Sequence, residues 1–278
     1  MLKHRLIACL LWRDGFLIQS KNFKHTNAVG SAMTAIDFFN TWAIDEIVLI
    51  DVTRKQDNRE MFHRDLVELS KRCFVPLTVG GWVHTIDDVR RFLTEGADKV
   101  IVNTSAFRDH AFLSAASKRF GNQCMVVSID AKRIAPHRYE VCIDRGSTPT
   151  GVSPEAWAKE AEQLGAGEIF LTSIDNDGSQ NGYDAELIHL VSNTVGIPVI
   201  ASGGVGEWKH FADGIANGAS AVSAANIFHY SDQSTKKAKN YLFEQGIDVR
   251  RPEFYDIPLP RRPVYRESSV SGIMTGSV

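Results

Sequence analysis

The chain has 278 residues, 44% of them hydrophobic, and a formal net charge of −2. That suits one large domain or two small ones with an ordinary core. The near-neutral balance, without a basic tract, gives nucleic acid no electrostatic footing, and no apolar run approaches the ~18 residues of a membrane span.

Four scattered cysteines, Cys9, Cys73, Cys124 and Cys142, lack metal or redox spacing and read as reduced thiols of a cytosolic protein. Met-Leu-Lys-His-Arg leads straight into an apolar run, which leaves no room for a signal peptide.

In chain order, residues 5–11 read as a first strand, Arg13-Asp14-Gly15 as a turn, and 16–30 as a loop with room for short strands. Apolar residues at helical spacing follow from Ser31 to Ala43. Then come a second strand at 47–51, a helix near 58–72 and a third strand near 76–79. Thr85-Ile86-Asp87-Asp88 opens a third helix in the manner of a capping box, with Asp in the usual Glu position. Further strands are expected at 99–103, 125–130, 168–173, 198–202 and 220–224, and helices near 109–118, 153–164, 184–194, 207–216 and 232–245. A hairpin is expected across 137–146, and 251–278, which holds four of the nine prolines, reads as a mostly disordered tail, with Phe254 and Tyr255 as the residues for clipping it onto the barrel surface.

The halves echo each other at a period of about 122 residues. Val75-Pro76-Leu77-Thr78-Val79-Gly80-Gly81 matches Ile197 to Gly204; Asp45 to Leu49 matches Gly167 to Leu171; Glu95 to Val100 matches Asn217 to Val222; Ile7 to Leu11 matches Val126 to Asp130. Eight strands alternating with eight amphipathic helices predict a (β/α)8 TIM barrel over 1–250, made of two half-barrels; a doubly wound open sheet is the alternative. The repeat favours closure, because two half-barrels cover each other's edges.

Reactive groups of such barrels lie at the C-terminal strand ends. Here those ends carry Leu11, Asp51, Gly80-Gly81, Asn103-Thr104, Asp130, Thr172 with Asp175 and Asp177, Gly203-Gly204, and Ala225-Asn226. Each glycine turn sits beside a strand ending in small or polar residues, which suits two phosphate sites on opposite sides of the mouth, built from backbone N–H donors. A substrate with a phosphate at each end would span the mouth, with Asp130 near its middle as acid or base. A lone aspartate at a strand end is more often a loop cap. Asp175-Asn176-Asp177-Gly178 opens like a calcium loop but lacks the later ligands, so neither metal nor cofactor is expected. At the opposite barrel end, Arg5, Glu46, Lys99 and Glu168 mark strand starts; they read as solvated charges or as a closed ring.

Arg5 to Leu10, Thr78 to Gly81, Ala97 to Val100, Ser128 to Lys132, Thr148 to Gly151, Leu171 to Gly178 and Ala201 to Gly204 together resemble the cyclase subunit family of imidazole glycerol phosphate synthase, over residues 1 to about 250. The resemblance implies a partner glutaminase whose ammonia rises through a charged gate at Arg5, Glu46, Lys99 and Glu168. It also implies a bis-phosphorylated ribulosyl-formimino aminoimidazole carboxamide ribonucleotide as substrate, with imidazole glycerol phosphate and an aminoimidazole carboxamide ribonucleotide as products. Phosphate contacts map onto Asn103, Thr104, Gly178, Gly204 and Ala225, and the acid–base pair onto Asp130 and position 11. Position 11 is leucine, Trp82 replaces a third glycine, Gln19 a lysine, and Asn226 a serine. Leu11 moves no proton, so impaired cyclisation is expected. Two other readings stand beside it: a divergent second copy that delivers ammonia to a sugar-amidating enzyme of surface-polysaccharide synthesis, and a non-catalytic glutaminase scaffold.

Overall fold

A computed structural model describes residues 3–54, 58–230 and 234–251. The first half holds β1 (Arg5–Arg13), β2 (Phe16–Lys21), β3 (Lys24–Gly30), α1 (Ala32–Thr41), β4 (Glu46–Asp51), α2 (Arg59–Ser70), β5 (Leu77–Gly80), α3 (Ile86–Thr94), β6 (Lys99–Val102), α4 (Thr104–Arg108) and α5 (His110–Phe120). The second half holds β7 (Met125–Ala135), β8 (Arg138–Ile143), β9 (Thr148–Pro149), α6 (Pro154–Gln163), β10 (Glu168–Ser173), α7 (Ala185–Ser192), β11 (Val199–Ser202), α8 (Trp208–Ala216), β12 (Ala221–Ala224), α9 (Ile227–Tyr230) and α10 (Ser234–Glu244).

Eight parallel strands close into a ring in the order β1, β4, β5, β6, β7, β10, β11, β12. Pairing of β7 with β10, from Val126 opposite Glu168 to Ala131 opposite Ser173, joins the halves and excludes the open sheet. The fold is the expected (β/α)8 barrel. Among the described residues no helix is long and apolar enough to cross a membrane.

Both faces of these strands are buried, which is why they read as near-continuous apolar runs. On β1, Leu6, Ala8, Leu10 and Trp12 face the helices, whereas Ile7, Cys9 and Leu11 face inward. The inner layer is completed by Val48, Ile101, Val126, Phe170, Ile200 and Ala221. Helix starts follow local chemistry. Thr85 and Asp88 form the expected reciprocal capping box of α3; Ser153 caps α6 ahead of Pro154, and Asp109 caps α5.

Two boundaries differ from the sequence reading. Residues 16–30 form an antiparallel hairpin, β2–β3, whose pairing shifts register around Ile18 and which is continuous with β1. The hairpin expected at 137–146 is the β8–β9 pair, with Cys142 opposite Pro149 and Ile143 opposite Thr148, and a second hairpin precedes it, because β7 continues beyond the barrel rim to Ala135 and turns at His137, φ 58°, so that Asp130 pairs with Cys142 and Lys132 with Glu140. Residues 252–278, and with them Phe254 and Tyr255, lie outside the described residues.

The last helix is tied to the first strand through one carboxylate. Asp45 accepts from the Leu6 N–H at 2.9 Å, from Lys239 Nζ at 2.6 Å and from Arg250 Nε at 2.9 Å. Lys239 is fully buried, so its charge depends on this partner. Asp45→Ala is expected to cost on the order of 3–5 kcal/mol, read as a lowered midpoint in urea denaturation at neutral pH, with a smaller loss for Lys239→Met. A loss below about 1 kcal/mol would contradict the tie.

Candidate active site

Strand alternation carries Arg5, Glu46, Thr78, Lys99 and Glu168 inward at the lower barrel end. There the four charges form a closed ring. Arg5 reaches Glu46 at 2.6 Å and Glu168 at 3.0 Å; Lys99 reaches each of them at 3.1 Å. Thr78 Oγ1 donates to Glu46 at 2.8 Å, and the Glu46 side chain is 1% exposed. Burial alone would lower the Arg5 pKa; the charges of Glu168 and Glu46 outweigh it and hold the guanidinium above its ordinary value. These are bonded strand starts, not solvated ones. Thr78 was missed in the sequence, although its inward position in the strand carried the signal.

At the opposite end Asp130 is buried beside Thr172, its register partner on β10. Burial pushes the carboxyl up to about 7; hydrogen bonds from Asn103 Nδ2, at 2.8 Å, and Ser128 pull it down, and the Asp177 charge pushes it further up. A carboxyl titrating near neutrality both takes and gives a proton at modest cost. Leu11 lies across the ring from it, packed with the inner apolar layer.

The remaining strand-end residues fall into two groups. Asn103 and Thr104 follow β6, where Thr104 Oγ1 accepts from the Asp144 N–H at 2.9 Å. Gly80 fits against Ile101, and Gly81, φ 105°, backs onto Asp51 with no space for a side chain. Trp82 holds φ 57°, a conformation glycine adopts freely, and donates its indole N–H to the Thr53 carbonyl at 3.1 Å. Asp51 sits on the outward parity of β4 and spends its carboxylate on the Thr53 N–H, at 2.9 Å, and the Thr53 hydroxyl; burial raises its pKa. It closes its own turn.

On the other side, Gly203 and Gly204 hold φ 92° and 107°, and Gly204 accepts from the Gly182 N–H at 2.7 Å. Here the β2–β3 hairpin reaches across the mouth. Asp177 accepts from Ser20 Oγ at 3.0 Å and from the Phe23 N–H at 2.9 Å, and its carbonyl accepts from the Asn22 N–H at 2.9 Å. Asn226 Nδ2 donates to the Ser20 carbonyl at 3.3 Å, and Gly178 lies against the same carbonyl without room for a Cβ. Ala225 packs on the inner apolar layer. So Asp177, Gly178 and Asn226 converge, and the hairpin that touches them carried no sequence signal beyond its length. The other aspartate of this turn, Asp175, accepts from the Arg133 N–H at 2.8 Å. Among the described residues no group of three potential ligands is placed to hold a metal ion.

Two comparisons bear on this arrangement. The histidine biosynthesis protein family matches residues 5–234. The imidazole glycerol phosphate synthase subunit HisF of Endomicrobium trichonymphae is 42% identical over 256 residues, 91% of this chain and 98% of the relative. With a closed barrel, a charged ring below and a buried aspartate above, the chain belongs to the histidine biosynthesis protein family, and within it to the cyclase-subunit type of imidazole glycerol phosphate synthase.

Proposed function

We propose that this chain takes ammonia from a partner glutaminase, admits it through the Arg5–Glu46–Lys99–Glu168 ring, and uses it at the mouth. There it would convert a bis-phosphorylated ribulosyl-formimino aminoimidazole carboxamide ribonucleotide into imidazole glycerol phosphate and an aminoimidazole carboxamide ribonucleotide. Asp130 is the single observation that carries the reading. It is a buried carboxyl held by Asn103 and raised to about 7. In this mechanism Asp130 takes a proton from the attacking nitrogen and returns one to the leaving group. The glycine turns at Gly80-Gly81 and Gly203-Gly204, with Asn103, Thr104, Gly178, Ala225 and Asn226, would hold the two phosphates. Asp51, Thr172 and Asp177 shape the surrounding wall.

Leu11 separates this chain from a two-carboxylate site. Loss of one general acid or base costs about 10²–10⁴-fold. Cyclisation by Asp130 alone is therefore slow. Leu11 and the left-handed Trp82 also support a second reading, in which the ring still delivers ammonia but a separate enzyme, such as a sugar amidotransferase, consumes it. A complex with glutaminase, assayed with glutamine and the bis-phosphorylated substrate, separates the two. Product formation supports the cyclase; glutaminase stimulation without product supports delivery; neither effect overturns both.

Two predictions follow from the carboxyl chemistry. Leu11→Asp is expected to raise the ammonium-driven rate by about 10²-fold or more, and Asp130→Asn to remove it; an unchanged rate in Leu11→Asp contradicts the role given to position 11. The second concerns pH. Asp130 binds its proton more tightly folded than unfolded, so the native state holds the extra proton between about 4 and about 7. Stability should fall as pH rises through that window and level off above it, and Asp130→Asn should remove this slope. Urea midpoints across pH 4–8 read it, and equal slopes in both proteins would contradict the raised pKa.

A further inference from the structure

Two walls of the barrel interior carry small residues: β5 turns Thr78 and Gly80 inward, where Ile101 packs over Gly80 and Thr78 is bonded to Glu46, and β12 is the other. β12 turns Ala221, Ser223 and Ala225 inward, while Val222 and Ala224 pack against the helices. The strands β1, β4, β6, β7, β10 and β11 fill the interior with Ile7, Val48, Ile101, Val126, Phe170 and Ile200. The β12 wall begins at the charged ring, since Ala221 is the register partner of Arg5, and it ends at the mouth beside Asn226. Cys9 lines its flank on β1.

A stripe of small residues alone means little. Ser223 adds an independent observation. It is fully buried, and its Oγ has no hydrogen-bond partner among the described residues. Its carbonyl is occupied by the Tyr183 hydroxyl at 2.8 Å. An unpaired hydroxyl in an apolar interior costs about 1–3 kcal/mol, which alanine at this position would avoid. In register Ser223 lies opposite Ile7, two residues above Arg5 and two below Ala225. The hydroxyl therefore stands between ring and mouth, aimed into the barrel.

We propose that Ser223 is a hydrogen-bonding station for neutral ammonia on a passage along the inner face of β12, which rests on the ammonia-delivery reading given above. A serine hydroxyl donates one hydrogen bond and accepts others, and ammonia does both. The neutral form must be the traveller, because an ammonium ion in this apolar layer would be a buried charge without a counter-ion. No bond is made or broken at Ser223; it relieves the desolvation of a polar guest midway. Ser223 is a positioning residue, and it touches ammonia before the chemistry begins.

The test compares nitrogen sources in the intact complex with glutaminase. Glutamine-driven product formation requires the passage; ammonium chloride in the buffer also reaches the mouth from outside. Ser223→Leu fills the stripe and is expected to lower the ratio of glutamine-driven to ammonium-driven rate by about tenfold or more, whereas Ser223→Thr, which keeps the hydroxyl, stays within about twofold. An unchanged ratio in Ser223→Leu overturns the proposal, and so does an equal loss in Ser223→Thr. A second measurement needs no turnover. A high-resolution crystal structure of the wild-type chain should hold a density peak within about 3.2 Å of Ser223 Oγ, lost in Ser223→Ala. A hydroxyl turned onto a backbone carbonyl, with no peak, overturns the proposal. If neither nitrogen source yields product, the cyclase reading fails by itself, and the density decides whether Ser223 holds a small hydrogen-bonding guest.

Discussion

Everything functional in this chain depends on the register between β7 and β10. Six consecutive pairs, from Val126 with Glu168 to Ala131 with Ser173, close the sheet and fix which side chains point inward. A slip of β7 by one residue would turn Ser128 and Asp130 toward the helices and bring Val127 and Ile129 into the interior. With the register as it is, charge gathers at the lower end, apolar side chains fill the middle, and the buried aspartate stands at the top. The three layers follow from one alternation repeated on eight strands.

The layers differ in what they tolerate. In the ring each cation meets both carboxylates, so Glu46 has two positive partners where almost no solvent reaches it. Removing any member would leave a buried charge, and the ring is therefore a unit. The mouth is organised differently. Asp130 is buried with neutral partners, Asn103 and Ser128, and a like charge in Asp177, so it keeps its proton up to about neutral pH and exchanges it there. Ring charges are locked and the mouth carboxyl is labile, which suits a barrel that admits a neutral guest at one end and moves protons at the other. The β2–β3 hairpin adds a cover: its anchors, Asp177, Gly178 and Asn226, lie on the rim where one phosphate is proposed to sit.

Much of this was legible in the residues. The repeated Gly-Gly turns and the paired starts Glu46 and Glu168 carried the duplication, and the alternation of short strands and amphipathic stretches carried the barrel. Asp130 stood out because a charged residue ends an otherwise apolar strand. The ring was ambiguous, since four charges at strand starts look the same whether solvated or paired; only closure brings Arg5 within reach of Glu168. Asp51 shows the opposite effect. It closes an apolar run as Asp130 does, yet it lies on the outward parity and is taken up by Thr53. The long β7–β8 extension and the hairpin across the mouth were less legible, because their partners are distant in sequence and their residues are of mixed polarity. Ser223 was invisible in sequence: serine in a strand is ordinary until every neighbour on its face proves apolar.

The central claim, that nitrogen reaches the Asp130 end from within the barrel, is tested most directly by isotope competition. The complex with glutaminase is given amide-15N glutamine and the bis-phosphorylated substrate in a buffer containing excess unlabelled ammonium, and the 15N content of the imidazole product is measured. The account predicts product labelled well above the bulk ammonium pool, because the ammonia never mixes with solvent. Product labelled no more than the bulk pool would contradict it.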